Sequence, residues 1–268
     1  MALDSMDKLV AALAKSERLR FYKPSIANAT AGQIHSLWRS NGFPTLGAIP
    51  GAAAYCNHTT DGSWPLPTPG AGEKLYLAKL SGANSVTGQL LVADRLAAMG
   101  GLSGASAAEQ TVNLDIAGPA AAGRCSSDGA GVLWGLEWYS DTGSTAVTAT
   151  IKYTNDLNQD SRTTTVALAA TRRASTFLPI LPNTSDARIK SIQSVTLSAT
   201  TGTAGSFGVT AIRRNAELPL LVAGVGAVAD FAALALPELV GSECLFLLLL
   251  CGSTSTGNVL GSMEVISA

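Results

Sequence analysis

The sequence predicts a mainly β protein, a jelly-roll-like antiparallel β-sandwich with a short N-terminal helix and an extended N-terminal arm. Three observations carry the prediction. Short runs rich in Thr and Val recur from residue 74 onward at intervals of about 8–15 residues, ended by Gly, Asn, Asp and Ser. Residues 22–73 hold Pro24, Pro44, Pro50, Pro65, Pro67 and Pro69 and show no sustained periodicity. Charged residues are 14% of the 268, against about 25% in an ordinary soluble domain. A chain so poor in charge is expected to have neighbours covering part of its surface.

The elements follow in order. "MALDSMDKLVAALAKSERLRF" sets Leu3, Met6, Leu9, Val10 and Leu13 at helical spacing, with Asp4 or Ser5 as the cap. It reads as an amphipathic helix and not as a secretory signal, which leaves the sequons at Asn28, Asn57 and Asn183 without meaning. Residues 1–73 are therefore assigned to the helix and a proline-rich arm, lying across a partner or wrapping their own domain. Trp38, Phe43, Tyr55 and Trp64 would anchor it by burying aromatic surface. Removing residues 1–73 is expected to weaken attachment to a partner and leave the sandwich folded.

Residues 74–215 form the predicted sandwich. "EKLYLAKLSG", "GQLLVADRLA" and "TVNLDIAG" are its first strands. "VLWGLEWYS" and "TAVTATIKYTN" read as a hairpin turning at Asp141–Ser144. "RTTTVALAA", "STFLPIL", "IKSIQSVTLSATTG" and "GSFGVTAIRR" continue the series, with Arg213 and Arg214 at a strand end, making interface ion pairs.

Residues 216–268 complete the sandwich or form a subunit interface. "CLFLLLLC" is too short to cross a bilayer, since a spanning helix needs about 20 apolar residues. It reads as a central strand covered on both faces, and "GSTSTG" followed by "NVLGSMEVISA" makes it the first arm of a hairpin. Cys244 and Cys251, seven apart, would point to opposite faces, more than about 20 Å from each other. Cys56, Cys125, Cys244 and Cys251 are read as buried thiols, with disulfides between subunits as the alternative.

No constellation points to catalysis, so no enzyme, cofactor or metal is expected. Gly224-x-Gly226-x-x-Ala229 matches a relaxed dinucleotide fingerprint but lacks alternating strands and helices around it. Cys56, His58 and Asp61 lack a fourth ligand, and His35 is the only other histidine. Glu137 and Asp141 read as strand-face and turn residues and not as paired catalytic carboxylates. Trp134 and Trp138 share one strand face, to pack between sheets or offer a platform to a sugar. A formal net charge of -1 gives no footprint for nucleic acid, and no membrane partner is expected.

"LEWYSDTGSTAVTATIKYTN", "TRRASTFLPIL" and "VTLSATTGTAGSFGVTAIRR" resemble segments of β-rich structural proteins of tailed bacteriophages. "ECLFLLLLCGSTSTGNVLGSMEVI" and "LWRSNGFPTLGAIPGAAAYCN" look like parts of the same kind of chain. The resemblance implies a virion protein made in the host bacterial cytoplasm and carried on the capsid exterior. It implies a cement or decoration role, with the major capsid protein and sister copies in a homotrimer as partners. A tail or head fibre that recognises host glycans through Trp134 and Trp138 is the alternative it leaves open.

Overall fold

A computed structural model describes residues 5–202 and 204–268. Helix α1 (Met6–Leu13) is capped by Ser5, whose hydroxyl accepts from the Lys8 amide at 3.4 Å. The strands that follow are β1 (Glu17–Lys23), β2 (Ile34–Ser36), β3 (Ala54–Tyr55), β4 (Leu75–Asn84), β5 (Gly88–Ser103) and β6 (Gln110–Asp115). After a short helix α2 (Ala117–Ala121) come β7 (Val132–Trp138), β8 (Val147–Asn155), β9 (Arg162–Leu168), β10 (Thr176–Ile180), β11 (Ile189–Leu197) and β12 (Ser206–Leu220). The chain ends with β13 (Ala227–Ala229), α3 (Phe231–Leu234), β14 (Glu238–Leu239), β15 (Leu245–Cys251) and β16 (Val259–Ser267).

Among the described residues the strands make three antiparallel sheets. The middle one closes on itself: β12 pairs β7, then β10, β2, β15 and β5 follow, and β5 returns to β12. β3 is a spur on β5. Closure removes the free edges that an open sheet would present. A five-stranded sheet of β1, β16, β4, β13 and β14 covers one side of this barrel, and a four-stranded sheet of β6, β11, β8 and β9 covers the other. The predicted face-to-face packing of antiparallel sheets is present, with a closed barrel as its middle layer.

Strand parity explains the layering. On β15, Leu245, Leu247, Leu249 and Cys251 pack against the five-stranded sheet, while Phe246 and Leu248 fill the barrel. "CLFLLLLC" is thus covered on both faces, and Cys244 and Cys251 lie in different clusters. The long strands β5 and β12 serve both flanks. Phe207, Val209 and Ala211 meet the four-stranded sheet, and Leu218 and Leu220, further along β12, meet the five-stranded one. Gly135 of β7 faces into the barrel, where a Cβ would stand 2.3 Å from the Phe177 ring, so only glycine leaves room for that phenylalanine.

Four sequence expectations change. The Asp141–Ser144 segment does not close a hairpin: β7 pairs β10 and β12, whereas β8 pairs β9 and β11. The turn is a crossover between layers, held where the Asp141 carboxylate accepts from the Ala174 amide at 2.8 Å. Likewise β15 and β16 belong to different sheets, so the segment between them crosses from barrel to flank. Arg213 and Arg214 lie inside β12, which runs on to Leu220 across the 215/216 boundary.

The fourth is the expectation that the sandwich stays folded without residues 1–73, which take the second of the two places allowed them and wrap their own domain. They supply β1 to a flanking sheet and β2 to the barrel wall. The body cannot be expected to stand without them, because β2 is the strand that joins β10 to β15.

Candidate functional site

The aromatic anchors of the arm divide into two kinds. Trp38 and Trp64 are 2% and 0% exposed, so their surface is spent within this chain and not on a neighbour. Trp38 donates to the Ala48 carbonyl at 2.7 Å and meets Phe246 edge-on at 5.7 Å. Trp64 donates to the Arg20 carbonyl at 2.9 Å and stands against Phe21 at 6.2 Å. Phe43 and Tyr55 are each 50% exposed. The Tyr55 hydroxyl donates to Asp115, whose acceptance of that proton pushes the phenol above its usual range.

Arg213 and Arg214 are likewise committed within the chain, to Glu243 and Glu217. Trp134 and Trp138 are buried between the barrel and the four-stranded sheet, with Phe207 at 4.5 Å from Trp138. Neither ring has a face open to a sugar. The Gly224–Ala229 segment runs into strand β13 and not into a helix, so it does not form the turn that a pyrophosphate needs. Asn57 Oδ1 accepts from the Thr59 amide at 2.9 Å, a turn that accounts for the Cys-Asn-His stretch. No group of three or more metal-ligating side chains occurs among the described residues.

Sequence reasoning missed the charge inside the barrel. Arg95 and Glu137 form an ion pair at 2.7 Å with side chains 0% and 1% exposed. Thr210 donates to the same Glu137 oxygen at 2.8 Å. Burial alone would raise the Glu137 carboxyl, but the Arg95 charge and these hydrogen bonds outweigh it and hold it below the usual range. The Arg95 guanidinium also lies 4.7 Å from the Trp38 ring and 5.6 Å from that of Phe246. Nearby, Arg124 forks onto Asp94, whose Oδ1 also accepts from the Cys244 amide at 2.9 Å. These charges are matched within the chain and buried, although Arg95 Nε and Nη1 and Glu137 Oε1 have no hydrogen-bond partner among the described residues.

What remains open is the outer face of the five-stranded sheet. α1 covers one end of it, where Leu9 and Ala12 pack on Ala78 and Ile266. At the other end Phe43 pairs with Tyr22, Tyr22 with Leu260, and Leu260 with Ala83. Directly opposed residues of antiparallel strands point to one face, so these side chains form a row. Tyr22, Phe43 and Leu260 are 45%, 50% and 50% exposed. Val228 stands in the next row of the same face, opposite Ser81, and is 62% exposed. Val225, also exposed, lies in the loop fastened to β4 where the Gly224 amide donates to the Asn84 carbonyl at 2.7 Å. Two rows along the same face, beyond Arg20, Ser262 and Ser81, lies a charged cluster, Arg18 and Lys79 on Glu264 at 2.7 and 3.4 Å. An apolar row with charge beyond it is the composition of a contact surface.

No protein-family model matches the chain, and no curated protein matches it. Solved structures that align with it include the VP2 subviral particle of infectious bursal disease virus, at 11% identity over 94% of this chain and 80% of that one, with a TM-score of 0.20. The D431N mutant VP2 protein of the same virus aligns at 11% identity over 99% and 84%, with a TM-score of 0.19. At such TM-scores the alignments decide neither fold nor function. No described helix is long and apolar enough to cross a membrane.

Proposed function

We propose that this chain is a structural protein of a tailed-bacteriophage virion, a cement or decoration protein. It clamps neighbouring major capsid subunits on the capsid exterior, as a homotrimer, and works by adhesion without catalysis or a cofactor. The observation that carries the adhesive reading is the exposed row of Phe43, Tyr22 and Leu260 with Val228 beside it. Each such side chain that passes from half exposed to buried contributes about 1 kcal/mol. The phage assignment rests on the resemblance of the quoted segments. A barrel braced on both sides suits a clamp that has to resist outward pressure without changing shape.

The test is binding of the purified full chain to phage heads that lack it, followed by imaging of the decorated particle. Density on the head surface, lost with Leu260→Asp, is the expected result. Density confined to tails would refute the capsid placement. The glycan alternative loses its platform, because Trp134 and Trp138 are buried.

A further inference from the structure

Cys56 belongs to the arm and Cys244 to the segment just before β15, and both thiols are free and buried. β5 brings them together. The Cys56 amide donates to the Leu96 carbonyl at 3.0 Å, and the Arg95 amide donates to the Cys244 carbonyl at 2.8 Å. β3 and β15 thus meet end to end along β5, at the bulge where its register against β12 skips Leu96. Beyond the junction the two chains leave β5 together, with the His58 amide donating to the Ser242 carbonyl at 3.2 Å. Counted back in antiparallel register from that bond, Cys56 stands opposite Cys244.

One ion pair fixes both backbones. Arg124 donates to the Cys56 carbonyl and to Asp94, whose Oδ1 accepts from the Cys244 amide at 2.9 Å. Both cysteines pack in one apolar cluster with Trp38 and Phe246, while Cys125 and Cys251 belong to two others. Within that cluster the Cys244 thiol donates to the Cys56 sulfur. This bond first, and the Arg95 and Arg124 charges besides, lower the Cys56 thiol in spite of its burial. Burial raises that of Cys244 well above its usual range. Cys56 is therefore the nucleophile of the pair and Cys244 the partner that follows.

We propose that Cys56 and Cys244 form a disulfide within the chain, a staple that fastens the arm to the segment entering β15 when the protein meets a peroxide. The Cys56 thiolate attacks one oxygen of hydrogen peroxide and the O–O bond breaks. The departing hydroxide takes the proton that Cys56 released, leaving a sulfenic acid and water. The Cys244 sulfur then attacks the Cys56 sulfur, the S–O bond breaks, and hydroxide leaves as water with the Cys244 proton. The net change oxidises two thiols to one disulfide and reduces one peroxide to two waters. Tyr55 and Asn57, on either side of Cys56, are exposed, so so small an oxidant has a short way to the sulfur. β3 pairs with β5 through Ala54 and Tyr55, and a covalent link at the next residue secures that brief contact. A reducing compartment keeps the pair as thiols and an oxidising one closes the bond. The staple does not rest on the adhesive face.

The experiment treats the purified full chain, reduced and then freed of reductant, with hydrogen peroxide. Remaining thiols are alkylated before digestion, and intact mass, peptide map and thermal unfolding are followed. The expected product is a single chain lighter by two hydrogens, with the peptides of Cys56 and Cys244 linked. Its Tm should rise by about 5–10 °C, and dithiothreitol should reverse the rise. Cys244→Ser should stop at the sulfenic acid on Cys56, which dimedone traps, with no rise in Tm. Cys125→Ser should leave the linkage and the rise unchanged. A linkage between any other pair, a disulfide-linked dimer on a denaturing gel, or sulfinic acid at Cys56 with no linked peptide would each overturn the proposal. So would an unchanged Tm in the linked protein. The peptide map of the unsubstituted chain decides the matter even if Cys244→Ser fails to fold.

Discussion

On the four-stranded sheet the outward positions of β8 are Thr148, Thr150, Lys152 and Thr154, with Thr163 and Thr165 of β9 beside them. On the five-stranded sheet the corresponding outward positions include Tyr22, Leu260 and Val228. The inner faces do not differ in this way. Ile151, Tyr153 and Ile192 on one side are as deeply buried as Leu77, Leu80 and Met263 on the other. Two sheets docked on one barrel thus solve the same packing problem inward and opposite problems outward. The polar face is suited to water, and the apolar one to a neighbour. Burial on the inner side reports the fold, and only the outer side carries information about partners.

Substitutions can break this contrast, and the largest effects belong to the layer both sheets share. Glu137→Leu leaves Arg95 charged and unmatched inside the barrel, and a loss of about 3–5 kcal/mol is expected in chemical denaturation. Adding Arg95→Met should restore most of it. Next, Trp64→Ala and Trp134→Ala remove one large side chain from each inner face and should cost about 3–5 kcal/mol apiece. Unequal losses would show that one flank holds the barrel more tightly than the other.

Acid titration tests the joint where β12 meets the segment before β15. Burial first, and the nearby Asp94 charge second, raise the Glu243 carboxyl to about 7 against the pull of Arg213. A raised carboxyl means that the folded state holds a proton that the unfolded state has released. Stability from this group is therefore full below the ordinary glutamate range and declines as pH climbs from about 4.5 to about 7, by at most about 1.4 kcal/mol per pH unit. Glu243→Gln should flatten that slope in urea melts taken across the window.

On the outer faces the contrast sharpens. Leu260→Asp should change stability by no more than about 0.5 kcal/mol yet weaken particle binding at least tenfold, about 1.4 kcal/mol, whereas Thr150→Asp should alter neither. Smaller than that loss of binding is the effect of Arg18→Ala, in the charged cluster on the same face, with under about 1 kcal/mol expected in either assay.

Much of the strand inventory was legible because strand parity and turn residues are local signals. "TVNLDIAG" and "TAVTATIKYTN" alternate; β6 begins one residue before the first, and β8 lies within the second. Pairing was not legible where it depends on distant chain. β2 is three residues within a proline-rich stretch, and nothing in Ile34-His35-Ser36 announces a barrel wall. Arg95 sits in "VADRLA" as if on a solvated strand face, and only β7 from another part of the chain brings it Glu137. The apolar row escaped for the same reason. Tyr22 and Leu260 sit at the parity reserved for polar residues, on strands from opposite ends of the sequence, and become neighbours only through the β1–β16 register.

β15 lies between β2 and β5, and β16 between β1 and β4. These two strands, which follow the others in this sequence, therefore occupy interior positions in their sheets. Until they emerge, the edges of β2, β5, β1 and β4 wait unpaired, and such edges invite wrong pairing with other nascent chains. A ribosome that stalls before Leu245 would release a chain with an unclosed seam through two layers, a ready substrate for chaperones and proteases.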